Sequence, residues 1–220
     1  MAYGVGGMAR KATVAVALAA WAGAAAAETR ILALGDSLTA GYGLPEGDGF
    51  VPVLQRWLDE NGVDATVVNA GVSGDTTAGG RARLDWALAE PMDAAIVALG
   101  GNDLLRGLSP DVSRENLGAI MDRMRAEGMP VLLVGIEAPG NYGPAYKAAF
   151  DGMYVDLGED YGAMVEPSFL GPLIEGTDVG TARARYMQAD GIHPNAEGVA
   201  RIVEAFGPRV ADLVERAAGS

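Results

Sequence analysis

The residues best suited to chemistry in this sequence are its single histidine and the aspartate and serine that could act with it. His193 follows Asp190 by three residues in the segment DGIHPN. At that spacing a turn can bring the carboxylate to Nδ1 of the imidazole and leave Nε2 facing Ser37, in GDSLTAGYG. A serine hydroxyl becomes a useful nucleophile when an adjacent base takes its proton, so this set predicts acyl-transfer chemistry. The alternative is a surface histidine near a helix start.

Three further groups could stabilise the negative charge that develops on a carbonyl oxygen under attack. The Ser37 amide is expected at the start of a helix, where the helix dipole favours an anion. Gly74, in GVSGDT, offers an unobstructed backbone N–H, and the side-chain amide of Asn102, in GGND, can point in from the third strand. Losing one such donor costs about 3 kcal/mol of transition-state stabilisation. Each segment alone is also ordinary turn or cap chemistry, and we interpret Asp36 and Asp103 as structural turn formers.

The elements that position these residues follow from the apolar pattern after residue 28. Short apolar runs alternate with segments of helical period, which predicts a three-layer α/β/α sandwich with a central, mostly parallel five-stranded sheet. Strands are predicted at 31–34, 66–69, 94–99, 131–136 and 163–165. In an open parallel sheet, the loops at the carboxyl ends of the strands converge on one crevice. Ser37, Gly74 and Asn102 follow the first three strands, so we expect them to meet there.

The helices between these strands are predicted from apolar residues at a spacing of 3.6. They cover residues 50–58, 76–88, 113–126, 145–160 and 199–214. Ser113 is expected to cap the third helix, and Gly62 and Gly128 to end the first and the third. Gly207-Pro208 interrupts the last helix, where we expect a kink or a break. The stretch 166–189 has no clear period and is interpreted as a functional loop region beside the site.

Composition and charge exclude several classes of function. Sixteen basic and 29 acidic residues leave a net charge of −13, which would repel nucleic acid and anionic membrane surfaces. Arg81 and Arg83 are a closely spaced basic pair, and we interpret them as part of a solvated helix face. The chain has no cysteine for a disulfide or thiolate site, and with one histidine a structural zinc site is not expected. We therefore predict no metal, no cofactor and no nucleic-acid partner.

Residues 1–27 have the pattern of a signal peptide. Arg10 and Lys11 precede an apolar, alanine-rich stretch that ends in an A-x-A site at residues 25–27. A membrane anchor is the alternative, but the run is shorter than the roughly 20 residues of a spanning helix. We expect cleavage before Glu28, which takes the net charge to −15 by removing the two basic residues. The remaining chain, 28–220, is predicted to be one periplasmic or secreted domain, monomeric and without a stable membrane anchor.

Taken together, the four polar segments resemble the SGNH hydrolases, also called the GDSL family. Four blocks of that family contribute Ser, Gly, Asn and His in that order, and here they fall on Ser37, Gly74, Asn102 and His193. The resemblance covers essentially the whole mature chain. It is nearest to the exported bacterial branch of arylesterases, acyl-CoA thioesterase I and lysophospholipase L1.

The resemblance implies the flavodoxin-like fold of SGNH hydrolases and a serine esterase or thioesterase that works through an acyl-enzyme. Its substrate would be a small-molecule acyl ester or thioester. The implied triad is Ser37, Asp190 and His193, and the implied oxyanion hole consists of the Ser37 amide, the Gly74 amide and the Asn102 side chain. In those relatives a segment like PGNYG, here at 139–143, helps line the acyl groove. Pro139, Asn141 and Tyr142 are therefore expected to contact the substrate.

Three other functions are alternatives to this one. A carbohydrate O-acetyl esterase of the same fold would suit an exported enzyme, although three tryptophans, one of them in the signal segment, offer little aromatic surface for sugars. A non-catalytic binding module of the same fold would have no reason to keep the serine, aspartate and histidine together. A nucleotide-binding Rossmann domain would need G-x-G-x-x-G after the first strand, where this chain has Gly35-Asp36-Ser37.

Overall fold

The fold of the protein, in a computed structural model that describes residues 1–4 and 28–219, is built on a single parallel sheet. Its strands β1 to β5 are Thr29–Gly35, Ala65–Gly71, Ala94–Ala98, Val131–Val134 and Met164–Glu166. They lie in the order β2-β1-β3-β4-β5, and every neighbouring pair is parallel. All five predicted strands are confirmed. The predicted signal segment lies outside the described residues, except for its first four.

Helices cover both faces of the sheet. Those in the described residues are α1 Ser37–Ala40, α2 Phe50–Glu60, α3 Thr77–Ala82, α4 Leu84–Ala87, α5 Gly101–Leu105, α6 Pro110–Ala126, α7 Pro144–Tyr161, α8 Gly171–Ile174, α9 Val179–Tyr186 and α10 Ala196–Ala218. Helices α2, α8, α9 and α10 share one core cluster with the sheet. Helices α4, α6 and α7 share the other cluster. The predicted three-layer arrangement is confirmed.

Strand β1 lies between β2 and β3 and is buried on both of its faces. Ile31 and Ala33 belong to the cluster with α2 and α10, and Leu32 and Leu34 belong to the cluster with α6 and α7. All four side chains are fully buried. A strand covered on both faces must be apolar without alternation, which is why this segment is a continuous apolar run.

The carboxyl ends of β1, β2 and β3 are level with one another. Gly35, the last residue of β1, is paired in register with Gly71 of β2 and Ala98 of β3. The segments that carry Ser37, Gly74 and Asn102 therefore leave the sheet at the same edge, as predicted.

Two of the predicted helix ends are confirmed and one predicted cap is wrong. Gly62 and Gly128 adopt φ angles of 69° and 72° just beyond the caps of α2 and α6, the left-handed conformation that glycine adopts without steric cost. Helix α6, however, begins at Pro110 after the cap residue Ser109, so Ser113 is not its cap. Proline suits the first helical position because its missing N–H has no partner there. Ser113 instead lies buried in the first turns of the helix.

Other differences concern where helices are continuous. The helix predicted at 76–88 is divided at Arg83 into α3 and α4. The loop predicted at 166–189 contains α8 and α9. Of the kink or break predicted at Gly207-Pro208, the break is wrong, because α10 is one helix of 23 residues. A Cβ on Gly207 would lie 2.3 Å from the Trp57 ring of α2, so this close helix contact, with the buried face of α10, outweighs the hydrogen bond lost at Pro208.

Candidate active site

Ser37 is the first residue of α1 and directly follows Asp36, the single residue that connects β1 to that helix. Asp36 caps α1, and its carboxylate accepts a hydrogen bond from Leu38 N at 3.0 Å. Gly35 is needed on the strand side, since a Cβ there would lie 2.0 Å from Thr39 Oγ1. A Cβ on Gly71 would likewise lie 2.3 Å from the Ala40 amide, so α1 packs directly against the ends of β1 and β2. This packing places Ser37 at the first position of its helix.

The predicted nucleophile, base and acid form one hydrogen-bonded chain. Nε2 of His193 lies 2.9 Å from Ser37 Oγ, and Nδ1 lies 2.7 Å from Asp190 Oδ2. Because the carboxylate can only accept, Nδ1 carries the proton and Nε2 is left to accept from the serine hydroxyl. The other carboxylate oxygen of Asp190 accepts from the amides of Ile192 and His193. These bonds, first that of the His193 side chain, lower the pKa of Asp190 to about 2.

Tyr42 and Gln188 support the imidazole and the loop that carries it. The His193 side chain is 15% exposed, and the Tyr42 ring lies over it with 4.7 Å between ring centroids. Gln188 ties the two loops together, because its amide donates to Tyr42 O at 2.8 Å and to Pro194 O at 2.9 Å. Its backbone N–H donates to His193 O at 2.8 Å. Sequence reasoning did not find Gln188, since nothing in its local pattern marks a contact with residue 42.

The three predicted oxyanion donors come to the same edge of the sheet. The Ser37 amide is in the first turn of α1 and has no acceptor within that helix. Gly74 has φ of 88°, a conformation that residues other than glycine rarely adopt. Nδ2 of Asn102 donates to Asp75 O at 2.9 Å and to Asp36 Oδ2 at 3.2 Å. An oxyanion would compete with the Asp36 carboxylate for the Asn102 amide, because the bond to Asp36 is the longer of the two.

Two buried aspartates next to the site have different surroundings. Asp36 is 3% exposed, and burial raises its pKa to about 6 against the opposing hydrogen bonds from Leu38 and Asn102. Asp103 is fully buried and accepts from Thr77 N at 2.8 Å, Thr77 Oγ1 at 2.6 Å and Ser113 Oγ at 2.9 Å. It joins α3 and α6 to α5, so its part is structural, although it bridges helices rather than forming a turn.

Arg83 lies next to the site, and its interpretation as part of a solvated helix face is wrong. Its side chain is only 17% exposed, and it donates to the Asp75 carboxylate at 2.5 Å and to Gly35 O at 2.9 Å. Arg81, in contrast, is nearly half exposed and lies 3.7 Å from Glu115. Residues two positions apart on a helix do not face the same way, so the spacing itself argued against one shared solvated face.

The three residues expected to contact substrate lie on an exposed turn near the site. Pro139 and Asn141 are exposed, and the 3₁₀ turn Gly140–Tyr142 continues into α7. The Tyr142 ring stacks on Tyr146 at 4.9 Å and would lie 3.4 Å from a Cβ on Gly107, in the loop after α5. The turn therefore borders the segment that carries Asn102.

The space around Ser37 is a shallow, apolar depression. It is an open surface hollow rather than an enclosed cavity, and it is lined by Ser37, Leu38, Gly41, Tyr42, Leu44, His193, Pro194 and Val199. Exposed apolar side chains lie on the loops at this edge of the sheet, among them Tyr42, Val72, Leu105, Leu108, Tyr142 and Ile192. Two larger surface hollows, of about 630 and 650 Å³, adjoin α6 and α7 and include no residue of the site. An apolar rim beside a polar reacting centre suits an ester with a hydrocarbon part.

Across residues 1–4 and 28–219, no cluster of three or more His, Cys, Asp or Glu side chains could hold a metal ion. In the same residues no helix has both the length and the apolar character to span a membrane.

Comparison with known proteins adds independent information about this arrangement. The sequence model of the GDSL-like lipase/acylhydrolase family matches residues 33–201. Esterase TesA of Pseudomonas aeruginosa is 44% identical over 191 residues, which cover 86% of this chain and 91% of that protein. Thioesterase 1/protease 1/lysophospholipase L1 of Escherichia coli is 35% identical over 193 residues, covering 87% of each. The crystal structure of TesA superposes with a TM-score of 0.75 at 41% identity, over 84% of this chain and 99% of that one.

Proposed function

The chain belongs to the GDSL-like lipase/acylhydrolase family and is an ester or thioester hydrolase, and from this premise we propose that Ser37, His193 and Asp190 are its catalytic triad. The observation that carries the proposal is the hydrogen-bonded chain from Ser37 Oγ through both ring nitrogens to the Asp190 carboxylate. Among residues 1–4 and 28–219 there is one imidazole, so no other side chain of that type can act as base.

In the first half of the reaction, Ser37 Oγ attacks the carbonyl carbon while Nε2 of His193 takes its proton. Asp190 stabilises the imidazolium that forms, and its low pKa keeps it ionised to do so. The oxyanion is held by the Ser37 amide, the Gly74 amide and the Asn102 side chain. As the tetrahedral intermediate collapses, His193 gives its proton to the departing alcohol or thiol and an acyl-Ser37 ester remains.

In the second half, water replaces the alcohol or thiol. His193 takes a proton from the water, which attacks the acyl-serine carbonyl within the same oxyanion hole. Collapse of this intermediate releases the carboxylic acid and returns the proton to Ser37 Oγ. The cycle needs no metal or cofactor.

The substrate is proposed to be a small-molecule ester or thioester with an acyl chain that lies on the apolar rim. Pro139, Asn141 and Tyr142 would contact that chain or the leaving group from the turn beside α5. The names of two relatives, an esterase and a thioesterase/lysophospholipase, support both oxygen and sulfur leaving groups.

We also propose that the protein acts outside the cytoplasm. Support comes from the sequence of residues 1–27, with its basic start, apolar stretch and A-x-A site. After cleavage, the domain 28–220 would work as a monomer in the periplasm or the medium, without a membrane anchor.

The decisive experiment uses residues 28–220 and a series of p-nitrophenyl esters of increasing chain length, beside acyl-CoA and lysophospholipid. A fluorophosphonate probe should label the parent, and Ser37→Ala should lose both the label and turnover. If the parent hydrolysed none of these substrates, or if Ser37→Ala still accepted the probe, the proposed triad would be refuted. Acetate release from acetylated glycans without activity on longer chains would favour the O-acetyl esterase instead.

A further inference from the structure

Arg83 is a sheltered cation that connects two of the segments that meet at Ser37. Its Nε donates to Asp75 Oδ2 at 2.5 Å, and its Nη2 donates to the carbonyl oxygen of Gly35 at 2.9 Å. The two charged side chains are 17% and 18% exposed. An ion pair with so little access to water is screened only weakly by salt.

On one side, the contact constrains the loop that carries Gly74. Asp75 follows Gly74 directly, and its amide closes the turn by donating to Val72 O at 3.1 Å. Its carbonyl oxygen accepts the hydrogen bond from Asn102 Nδ2 at 2.9 Å. Its carboxylate fits against Gly79, where a Cβ would lie 2.6 Å from Oδ1. The position of Asp75 therefore sets both the Gly74 turn and the anchor of the Asn102 amide.

On the other side, the contact reaches the strand that leads to the nucleophile. Gly35 is two residues before Ser37, and its carbonyl oxygen also accepts from Val72 N at 3.0 Å. One oxygen at the end of β1 thus receives both the guanidinium and the start of the loop. Arg106 adds a hydrogen bond to Gly74 O at 2.8 Å, but from an exposed position.

We propose that Arg83 is a positioning residue for the oxyanion hole. Its guanidinium holds the Gly74–Asp75 turn against the end of β1, so that the donors of Ser37, Gly74 and Asn102 face one point. The proposal rests on the function proposed above for these donors, and Arg83 itself touches no substrate. Arginine suits this work because its planar fork binds two acceptors at fixed angles, whereas a lysine ammonium is a single point charge.

A purely structural part for Arg83 makes a different prediction. In that case its loss would lower the free energy of unfolding but leave the turnover of each folded molecule unchanged. Misplaced oxyanion donors act differently, because their contacts strengthen only in the transition state. Their loss lowers kcat and leaves KM nearly unchanged.

The test compares Arg83→Met and Arg83→Lys with the matched control Arg81→Met in residues 28–220. Arg81 is two positions away and exposed. With p-nitrophenyl butyrate, Arg83→Met should lower kcat by about 100-fold, with KM within about twofold of the parent. The kcat of Arg83→Lys should exceed that of Arg83→Met by less than about tenfold, because lysine cannot bridge both acceptors. Arg81→Met should match the parent, and urea unfolding reports the folded fraction of every variant.

A double-mutant cycle with Asn102→Ala separates positioning from general damage. If Arg83 acts through the oxyanion donors, Arg83→Met should lower kcat by clearly less in the Asn102→Ala protein than in the parent. Should Arg83→Met fail to fold, the same cycle with Arg83→Lys decides.

The positioning proposal is overturned if the Arg83 variants keep kcat within about threefold of the parent or change only KM. It is also overturned if the loss of kcat in the double mutant with Asn102→Ala equals the product of the two single losses. These outcomes differ from failure of the proposed function. An inactive parent refutes the function and the positioning with it, whereas an active parent that depends on Ser37 but not on Arg83 refutes the positioning alone.

Discussion

Replacing Asp36 by asparagine should change how the stability of the protein depends on pH. Asp36 is the nearly inaccessible carboxyl that precedes the nucleophile, and burial raises its pKa from 3.8 to about 6. Hydrogen bonds from Leu38 and Asn102 and the charge of His193 act in the opposite direction but are outweighed. Asparagine has nearly the same volume and can still accept from Leu38 N, but it does not titrate.

The sign and size of the effect follow from proton linkage. Between pH 3.8 and about 6 the folded protein binds more protons at Asp36 than the unfolded chain does, so the stability of the parent falls as pH rises through that window. A shift of about two pKa units corresponds to about 3 kcal/mol. The Asp36→Asn protein lacks this pH-dependent contribution to the unfolding free energy. At pH 4 the unfolded carboxyl is already partly ionised, so between pH 4 and pH 7 the Asp36→Asn protein should gain about 2 kcal/mol of unfolding free energy relative to the parent.

Urea unfolding of both proteins at pH 4 and pH 7, followed by circular dichroism, measures this difference. Any cost of the substitution that does not depend on pH cancels, including a mismatch between the new amide and Asn102. Asp64→Asn, which changes an exposed carboxyl, is the control and should show a difference near zero. A relative gain for Asp36→Asn below about 1 kcal/mol, or a relative loss, would show that burial does not dominate the titration of Asp36.

Further substitutions test the remaining parts of the site. His193→Ala should lower kcat at least about 1000-fold with an unchanged urea midpoint, and any larger residual turnover would point to another base. Gly74→Ala should cost about 1–2 kcal/mol of stability, because alanine is strained at a φ of 88°. The new Cβ would meet no atom closer than 3.9 Å, so the cost comes from the backbone alone. The variant should also have a lower kcat with little change in KM. Because Asp190 has a pKa of about 2, its protonation should not limit activity above about pH 3, whereas Asp190→Asn should lower kcat about 1000-fold or more near neutral pH. A pH–rate profile checks both statements. Tyr142→Ala should raise KM for long acyl chains more than for acetate esters, and equal effects on both would remove Tyr142 from the acyl surface.

The sequence by itself determined the sheet and the set of reacting residues. The apolar run that forms β1 does not alternate with polar residues, because both faces of the strand are covered. The run ends at Gly35-Asp36-Ser37, residue types that favour a turn. Parallel strands bring their carboxyl ends to one edge, so the residues after three strand runs had to lie close together. Asp190 and His193 are three residues apart, a distance that local turn geometry spans. These features depend on neighbours along the chain, which a sequence displays directly.

The tertiary structure alone decided the contacts between segments far apart in the chain. Arg83 lies against Gly35, 48 residues away, and the partners that bury it are set by this distant contact. The continuity of α10 through Pro208 depends on the fit of Trp57 against Gly207, and the Asp36 carboxylate meets the Asn102 amide across 66 residues. In each case, the energy that settles the local structure comes from packing and desolvation by distant residues. The residue types capable of the chemistry can be found in the sequence, but the distant residues that position them are identified only in the folded structure.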